Sequence, residues 1–495
     1  MGAPNVDDDD SNGKADWTDA PFGGDNDLVE FALPGWYVAA LAEGDSVALS
    51  LSGEVEWVRL WRGEAVALGH SGGAPLTEVT LGAEEAAAGF TVEFGDFLRR
   101  ATLTVRRLDA EGQEVRVDEV PLTSAPMILN HHLQVAEFVW AVQENSKASM
   151  LVVLKLVMGA RFIVIQRPDV WVQDELVWAT ATAPGDRLNV AIDSIRDRPL
   201  DAFVKGLKAP DVQPMTWGIA GTDTTEDKFG NLEVTPPHAA GGVEFPFGRI
   251  YYGEGATCGP NQLLKDHLDR QQVQRPIAID TCWLCVGHVD EFVSFIPDPG
   301  SPKGFKMLIA DVPAAYALLD ALPGGTSLPR YGPTHGYSTI GAIVGDKALR
   351  ALNEDVQADR IDPVREQLKA ELELEESDII RLPGLFERIY GCSYKSFGVA
   401  ALIPGMLNLT VANFAGEPLR IFVSDPFLRA DTGDQGKDPL IAHFRAALPA
   451  EYEIYFVDDW YTYHVAIGEV HCGTNVARTP DRSWWTDALH LIEEP

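Results

Sequence analysis

Between Asp27 and Thr123, short runs of alternating apolar and polar residues recur: Leu28–Leu33, Ser46–Leu51, Val55–Trp61, Thr77–Leu81, Phe90–Phe94, Ala101–Leu108 and Glu114–Val120. Gly, Asp and Pro separate them. A period of two marks strands with one buried face, and regular turn signals between short strands predict an immunoglobulin-like β-sandwich over residues 27–123. This stretch holds no cluster of nucleophile, acid and base. Ser124-Ala125-Pro126 reads as its boundary.

From 126 to 495 the pattern mixes periods. Met150–Val157 and Arg161–Ile165 read as extended. Gln262–Gln271 reads as an amphipathic helix with Leu263, Leu264, His267 and Leu268 inward. Ala314–Leu322 and Val364–Leu372 read as helices, and Asp378–Leu382, Leu419–Val423 and Glu453–Val457 as strands. Helices alternating with strands predict one α/β domain over 126–495. Periodicity alone does not distinguish a doubly wound sheet, a barrel and a propeller. Gly241-Gly242 and Gly324-Gly325 lack the context of a phosphate loop.

Composition narrows the function classes. With 74 acidic against 39 basic residues the net charge is −35. Such a chain lacks the basic stripes that hold a nucleic-acid backbone, and it suits cationic substrates or metal ions. No run approaches the ~20 apolar residues of a membrane helix, so no membrane partner is expected. Met1–Asp7 has neither a basic start nor an apolar core, so no signal peptide is read there. Five cysteines in 495 residues do not suggest a disulfide framework. Reduced thiols and a cytoplasmic setting are the default, with secretion the alternative. Cys282 and Cys285, on opposite faces of an expected strand, read as packing residues. Oligomeric state is not encoded in any pattern found.

Residues 1–26 form an acidic segment with ligand spacing. Asp8, Asp10, Asn12, Gly13, Asp16 and Asp19 fall at positions 1, 3, 5, 6, 9 and 12 of a calcium loop, and the Lys14 carbonyl at 7. Oxygen donors and a turn glycine at this spacing can surround one hard cation. Position 12 is Asp instead of Glu and no helix flanks the loop. The expectation is a calcium loop docked on the β-region; a solvated acidic tail is the plain alternative.

The chemistry concentrates in the second region. Gly468-Glu469-Val470-His471-Cys472-Gly473-Thr474-Asn475 follows the β-prone run Tyr455–Tyr463. It reads as a strand, a turn and an element carrying Cys472 into a pocket, with Gly473 leaving room beside the sulfur. In Trp171-Val172-Gln173-Asp174-Glu175, read as extended, Asp174 faces one way and Gln173 and Glu175 the other. Asp193-Ser194-Ile195-Arg196-Asp197-Arg198 interleaves oxygen ligands with arginines. Phe229-Gly230-Asn231-Leu232-Glu233 offers carbonyls and a carboxylate. His288 and Asp290, two apart on an expected strand, share a face. A guanidinium is planar and cationic, and carboxylates match its donor edges. Asp174 and Asp290 can hold one, Cys472 can attack its central carbon, and His288 can protonate the departing nitrogen and then deprotonate water. His471 either orients the Cys472 loop or packs. His131-His132 and His464 show no ligand-like partners.

Trp171–Glu175, Phe229–Pro237, Val286–Phe295, Ser377–Ile380 and Glu469–Val476 resemble, in the same order, segments of the protein-arginine deiminases. The resemblance covers about residues 120–495. It implies a pentein fold, a five-bladed pseudo-symmetric α/β propeller. It also implies calcium-dependent conversion of peptidyl-arginine to peptidyl-citrulline, with arginine-containing proteins as substrates. By resemblance, Asp174, His288, Asp290 and Cys472 match catalytic positions. Arg196 and Arg198 match residues that hold the substrate backbone, and Trp171 matches a pocket wall. Glu175, Asp193, Ser194 and Asp197 match one calcium site. Gln173, Glu233 and the carbonyls of Phe229 and Leu232 match a second. The sequence departs from the family at Val177, where a carboxylate of that second site is expected, and at Ala466, where animal members carry arginine. The rival readings are a deiminase of free arginine, agmatine or methylated arginine, a cysteine protease, and an inactive calcium-binding module.

Overall fold

The computed structural model describes residues 1–9, 11, 13–18, 27–143, 149–392 and 395–492. In the first region two antiparallel four-stranded sheets enclose one core. One runs Val29–Phe31, Phe90–Phe94, Val58–Arg62, Ala65–Gly69; the other runs Glu78–Gly82, Ser46–Gly53, Arg100–Leu108, Glu114–Thr123. Their inward residues, among them Val47, Leu49, Leu60, Val92, Phe94 and Leu103, pack together. The alternation expected of Ser46–Leu51 and Ala101–Leu108 is what lets each strand bury one face. Val55–Trp57, read as strand, is a 3-10 turn leading into the strand Val58–Arg62.

Beyond residue 126, five sheets repeat one pairing scheme. In each, a middle strand runs antiparallel to one neighbour and parallel to the other. The middle strands are Asp186–Asp193, Ile250–Gly253, Phe305–Asp311, Arg420–Ser424 and Ala136–Val142. The fifth sheet joins distant parts of the chain, because Thr474–Arg478 pairs with Ala136–Val142. That pairing draws the Cys472 loop towards strands near the start of the region. Helices Val312–Asp320, Lys347–Val356 and Asp362–Leu372 pack on the core that contains the nearly continuous apolar strand Phe305–Asp311. Burial on both faces explains its lack of alternation.

Several local expectations are corrected. Met150–Val157 is not extended but lies in the helix Ser149–Met158. Met150, Leu154 and Met158 are buried at a spacing of four, whereas Val152 and Leu156 are exposed. The β-branched valines suggested a strand, but the buried positions follow the helical period. In Gln262–Arg270, Leu264, His267 and Leu268 are buried, but Leu263 is 56% exposed. Asn261 caps that helix by accepting the Leu263 amide at 2.9 Å.

The cysteines are not all reduced. Cys258 is bonded to Cys282 and Cys285 to Cys392, with Cα separations of 5.7 and 5.5 Å. Cys282 and Cys285 lie in the turns after Ile277–Ile279, not in a strand, and reach partners 24 and 107 residues away. Spacing along the chain could not reveal those pairings. No helix among the described residues is long and apolar enough to cross a membrane.

Candidate active site

Cys472 is the free cysteine among the described residues and is 4% exposed. Its amide donates to Asn408 Oδ1 at 3.2 Å, and Asn408 Nδ2 donates to its Sγ at 3.2 Å. Asp290 Oδ2 lies 3.9 Å from that sulfur. Two glycines fit this loop to aromatic walls. A Cβ on Gly468 would lie 2.4 Å from Trp171, and one on Gly473 would lie 2.4 Å from the Tyr463 ring. The space at Gly473 is therefore filled by Tyr463, which corrects the expectation of room for a ligand there.

Asp174 stands on one helical turn, Val172–Glu175, and not on an extended segment. Each helical residue turns ~100° from the last. Consecutive side chains therefore fan in three directions instead of alternating between two. Asp174 lines a cavity of about 200 Å³ together with Trp171, Arg198, Lys228, Ala466 and Cys472. Gln173 turns towards Phe229 and Glu233, with its Nε2 3.1 Å from the Phe229 carbonyl. Glu175 turns towards Arg196, whose Nε is 3.2 Å from its Oε2. One expected rear face thus becomes two separate clusters.

His288 and Asp290 also leave the expected strand. They flank the start of a 3-10 turn, Val289–Glu291, and Glu291 Oε1 accepts the amides of Gly287 and His288 at 2.9 and 2.8 Å. His288 Nε2 lies 2.9 Å from the Thr225 carbonyl, which assigns its proton to that nitrogen. Its Nδ1 lies 3.9 Å from Asp174 Oδ1. His288 Nδ1 and Asp290 Oδ1 are both buried without a hydrogen-bond partner. Gly230 permits this approach, since a Cβ there would stand 2.5 Å from His288 Nδ1. Asp290 Oδ2 is held by His471 Nδ1 at 2.8 Å.

The arginines separate. Arg196 is 2% exposed, donates to the Trp171 carbonyl at 3.0 Å and pairs with Asp169, so it packs behind the wall. Arg198 is exposed and lines the cavity.

Glu175, Asp193 and Asp201 bring carboxylate oxygens within 4.8 Å of one another. Both oxygens of Glu175 and Oδ1 of Asp193 are buried without a hydrogen bond. Burial, with Asp193 adding to it and Arg196 opposing, pushes Glu175 up to about 8. Burial and then Asp201 push Asp193 up to about 7. Crowded, unsatisfied carboxylates fit a hard cation. Ser194 Oγ donates to the Asp227 carbonyl at 2.9 Å, and Asp201 also meets Lys205 at 2.5 Å. Asp197 is exposed; Asp201 takes the third place. The donor set around Gln173, Phe229, Leu232 and Glu233 does not fit calcium. The Gln173 amide nitrogen, not its oxygen, faces Phe229, and Val177 lines the space.

In the N-terminal segment Asp10, Asn12 and Asp19 lie outside the described residues. Asp8 accepts the Gly13 amide at 2.9 Å and pairs with Lys208 at 2.8 Å, and Asp16 accepts the Asp9 amide at 2.9 Å. Lys14 is exposed. The carboxylates that converge there are Asp7, Asp9 and Asp211. Asp7 is raised to about 6 by burial and then by Asp9.

Sequence reasoning missed Asn408 and Lys228. Asn408 had a signal, as a polar residue inside the apolar run Leu402–Val411. His464 also has partners, Glu469 at 3.2 Å and His335 at 3.1 Å.

A family model described as protein-arginine deiminase matches residues 114–486. The chain is 36% identical over 421 residues to protein-arginine deiminase type-4 of Homo sapiens, covering 79% of this chain and 60% of that protein. It is 36% identical over 338 residues to type-1 of Mus musculus, covering 64% and 48%. It is 36% identical over 339 residues to type-3 of Homo sapiens, again covering 64% and 48%.

Proposed function

The chain belongs to the protein-arginine deiminase family, and from that premise we propose that it hydrolyses peptidyl-arginine to peptidyl-citrulline and ammonia. The chain spans about 60% of the length of the type-4 relative it matches. One observation carries the reading. Burial, then Asp290, Asp174 and Glu469, push the Cys472 thiol well above its ordinary pKa. A buried thiol among carboxylates is a poor nucleophile until a cation enters between them. A guanidinium bound by Asp174 and Asp290 is such a cation, and it carries the carbon to be attacked.

In the proposed cycle Cys472 Sγ gives its proton to His288 and bonds to the guanidinium carbon. The adduct collapses as one C–N bond breaks. His288 delivers the proton to the leaving nitrogen, and ammonia departs. Water, deprotonated by His288, attacks the S-alkylthiouronium; the C–S bond breaks and the ureido product leaves. Asn408 and His471 position the sulfur and Asp290. Trp171 forms a wall of the cavity, and Arg198 is placed for the substrate backbone. Arg196 would need to leave its Asp169 pairing to act there. Glu175, Asp193 and Ser194, with Asp201, would hold calcium, which when bound supplies positive charge behind the turn that bears Asp174.

The proposed organisation is an acidic calcium loop over 1–26, an immunoglobulin-like sandwich over 27–123 and a five-bladed catalytic domain over 126–495. The five sheets that repeat one pairing scheme support the last part. The two disulfides favour an oxidising compartment over the cytoplasmic default.

The test is ammonia and citrulline release from an N-acylated arginine amide and from free arginine, each with calcium and with chelator. Turnover of the amide that requires calcium is expected. Turnover of the free amino acid alone would overturn the protein-substrate reading.

A further inference from the structure

Behind Asp290, His132, Glu233 and His471 each bring one ligand atom within 4.8 Å of the others. His471 Nε2 is 3.5 Å from Glu233 Oε1, and His132 Nε2 is 3.8 Å from Glu233 Oε2. Their side chains are only 9%, 11% and 14% exposed for His471, Glu233 and His132. Together with Gln173, Val177 and Asn475 they line a cavity of about 40 Å³, enough for one ion or one water.

Both imidazoles are already committed at the other nitrogen. His471 Nδ1 meets Asp290 Oδ2 at 2.8 Å, and His132 Nδ1 meets the Phe295 carbonyl at 2.9 Å. An oxygen acceptor at Nδ1 holds the proton there, so Nε2 of each neutral ring presents a lone pair. Both lone pairs face carboxylate oxygens, which are acceptors too. A metal cation among them removes the conflict at both rings, whereas a second proton on His471 would remove it only there. A carboxylate or a carbonyl behind the ring is also the arrangement that orients histidine as a metal ligand.

The donor set selects the cation. Calcium takes six to eight oxygens. Here Gln173 Oε1 is taken by Asn475 Nδ2 at 2.8 Å, and its own nitrogen faces Phe229. Val177 contributes only hydrocarbon. The buried Arg478 guanidinium, which donates to the Gln134 and Val411 carbonyls at 3.0 and 2.6 Å, adds positive charge to the cavity wall. One carboxylate and two imidazole nitrogens suit a borderline first-row ion. We propose that His132, Glu233 and His471 bind a zinc-class divalent metal directly behind Asp290, at the position where the family resemblance implied calcium. This site stands whether or not the chain is a deiminase.

The test uses tag-free, chelator-stripped protein titrated with cobalt(II) and followed by visible absorption. One equivalent should bind with the strong visible bands of nitrogen ligation, yield to zinc, and resist millimolar calcium. His132→Asn, its fold checked by circular dichroism, should weaken that binding by about tenfold or more. X-ray absorption of the zinc-loaded wild-type protein should show two imidazoles in the metal's shell, a readout that needs no variant. An all-oxygen shell, bands unchanged in His132→Asn, or displacement by calcium would each overturn the proposal.

Discussion

Two candidate ligand clusters stand behind one wall of the proposed active site, and they are built from different atoms. Glu175, Asp193 and Asp201 present oxygen only, in a space where burial and mutual repulsion push two of them up to about 8 and about 7. His132, Glu233 and His471 present two nitrogens and one carboxylate beside a guanidinium. Burial raises Glu233 to about 7, and His471 opposes the rise. For His471, burial is outweighed by Glu233 and Asp290, and its pKa rises. Both clusters adjoin the same turn, Val172–Glu175: Glu175 belongs to the first, and Gln173 turns towards Glu233 of the second. The backbone sets where the clusters sit; single side chains such as His132 and Val177 set what each can hold.

The two clusters share one front, so the largest effect should leave both untouched. Cys472→Ala should remove turnover by at least ~10³-fold, keep affinity for an arginine peptide within about tenfold, and preserve both metal responses. Retained citrulline formation would end the nucleophile assignment. Gly230→Ala comes next. Its Cβ would press on His288 Nδ1 at 2.5 Å and on Asp290 Oδ2 at 3.1 Å. Misplacing these groups should cost on the order of 10² in turnover, measured as citrulline at saturating calcium. Normal rates would show that His288 need not keep this position.

The clusters can then be separated. Glu175→Gln should raise the calcium needed for half-maximal activity by about tenfold and shrink the calcium-induced rise in melting temperature, while cobalt binding is unchanged. An unaltered calcium curve would remove the oxygen cluster from the argument. Val177→Glu tests the other side by adding a carboxylate beside Glu233. It should give that cavity a calcium response of its own, seen in calorimetry as one added site. No added site would mean that Val177 is not what excludes calcium.

Legibility followed physical range. Glu453–Val457 and Phe90–Phe94 have the bounds expected from their local patterns. Asp174, His288, Asp290 and Cys472 were grouped by substrate chemistry, and the structure brings them together although the local backbone was misread at three of them. A strand and a helical turn of four residues carry too little pattern to be told apart, and the choice decided whether one rear cluster or two was expected. The disulfides, Asn408 beside the sulfur and His132 beside Glu233 are contacts between distant segments, which no local pattern contains. Asp201 replaced Asp197 in the oxygen cluster for a related reason. The turn after Ser194 leaves Asp197 in solvent at φ 45°, and the next helix, Asp201–Lys205, brings Asp201 back.

The smallest effect distinguishes the oxygen cluster from buried histidines elsewhere by the sign of its pH dependence. In calcium-free protein the folded pKa values of Glu175 and Asp193, about 8 and about 7, lie above the ordinary 4.5 and 3.8. Between those limits the folded state binds more protons than the unfolded state. Stability from this source is complete below about pH 4 and is lost as pH rises towards 8, by at most about 1.4 kcal/mol per pH unit for each of the two groups. His238 and His267 act oppositely. Burial lowers them from 6.5 to about 4 and about 3, with Pro236 opposing at His238 and Arg270 assisting at His267. Their contribution is complete above 6.5 and is lost on acidification. Urea unfolding without calcium should therefore give a stability maximum on the acid side of neutrality. Saturating calcium should flatten the alkaline limb, because a bound cation favours the ionised carboxylates, and leave the acid limb in place. An alkaline limb that calcium does not change would mean that Glu175 and Asp193 are not the groups that meet it.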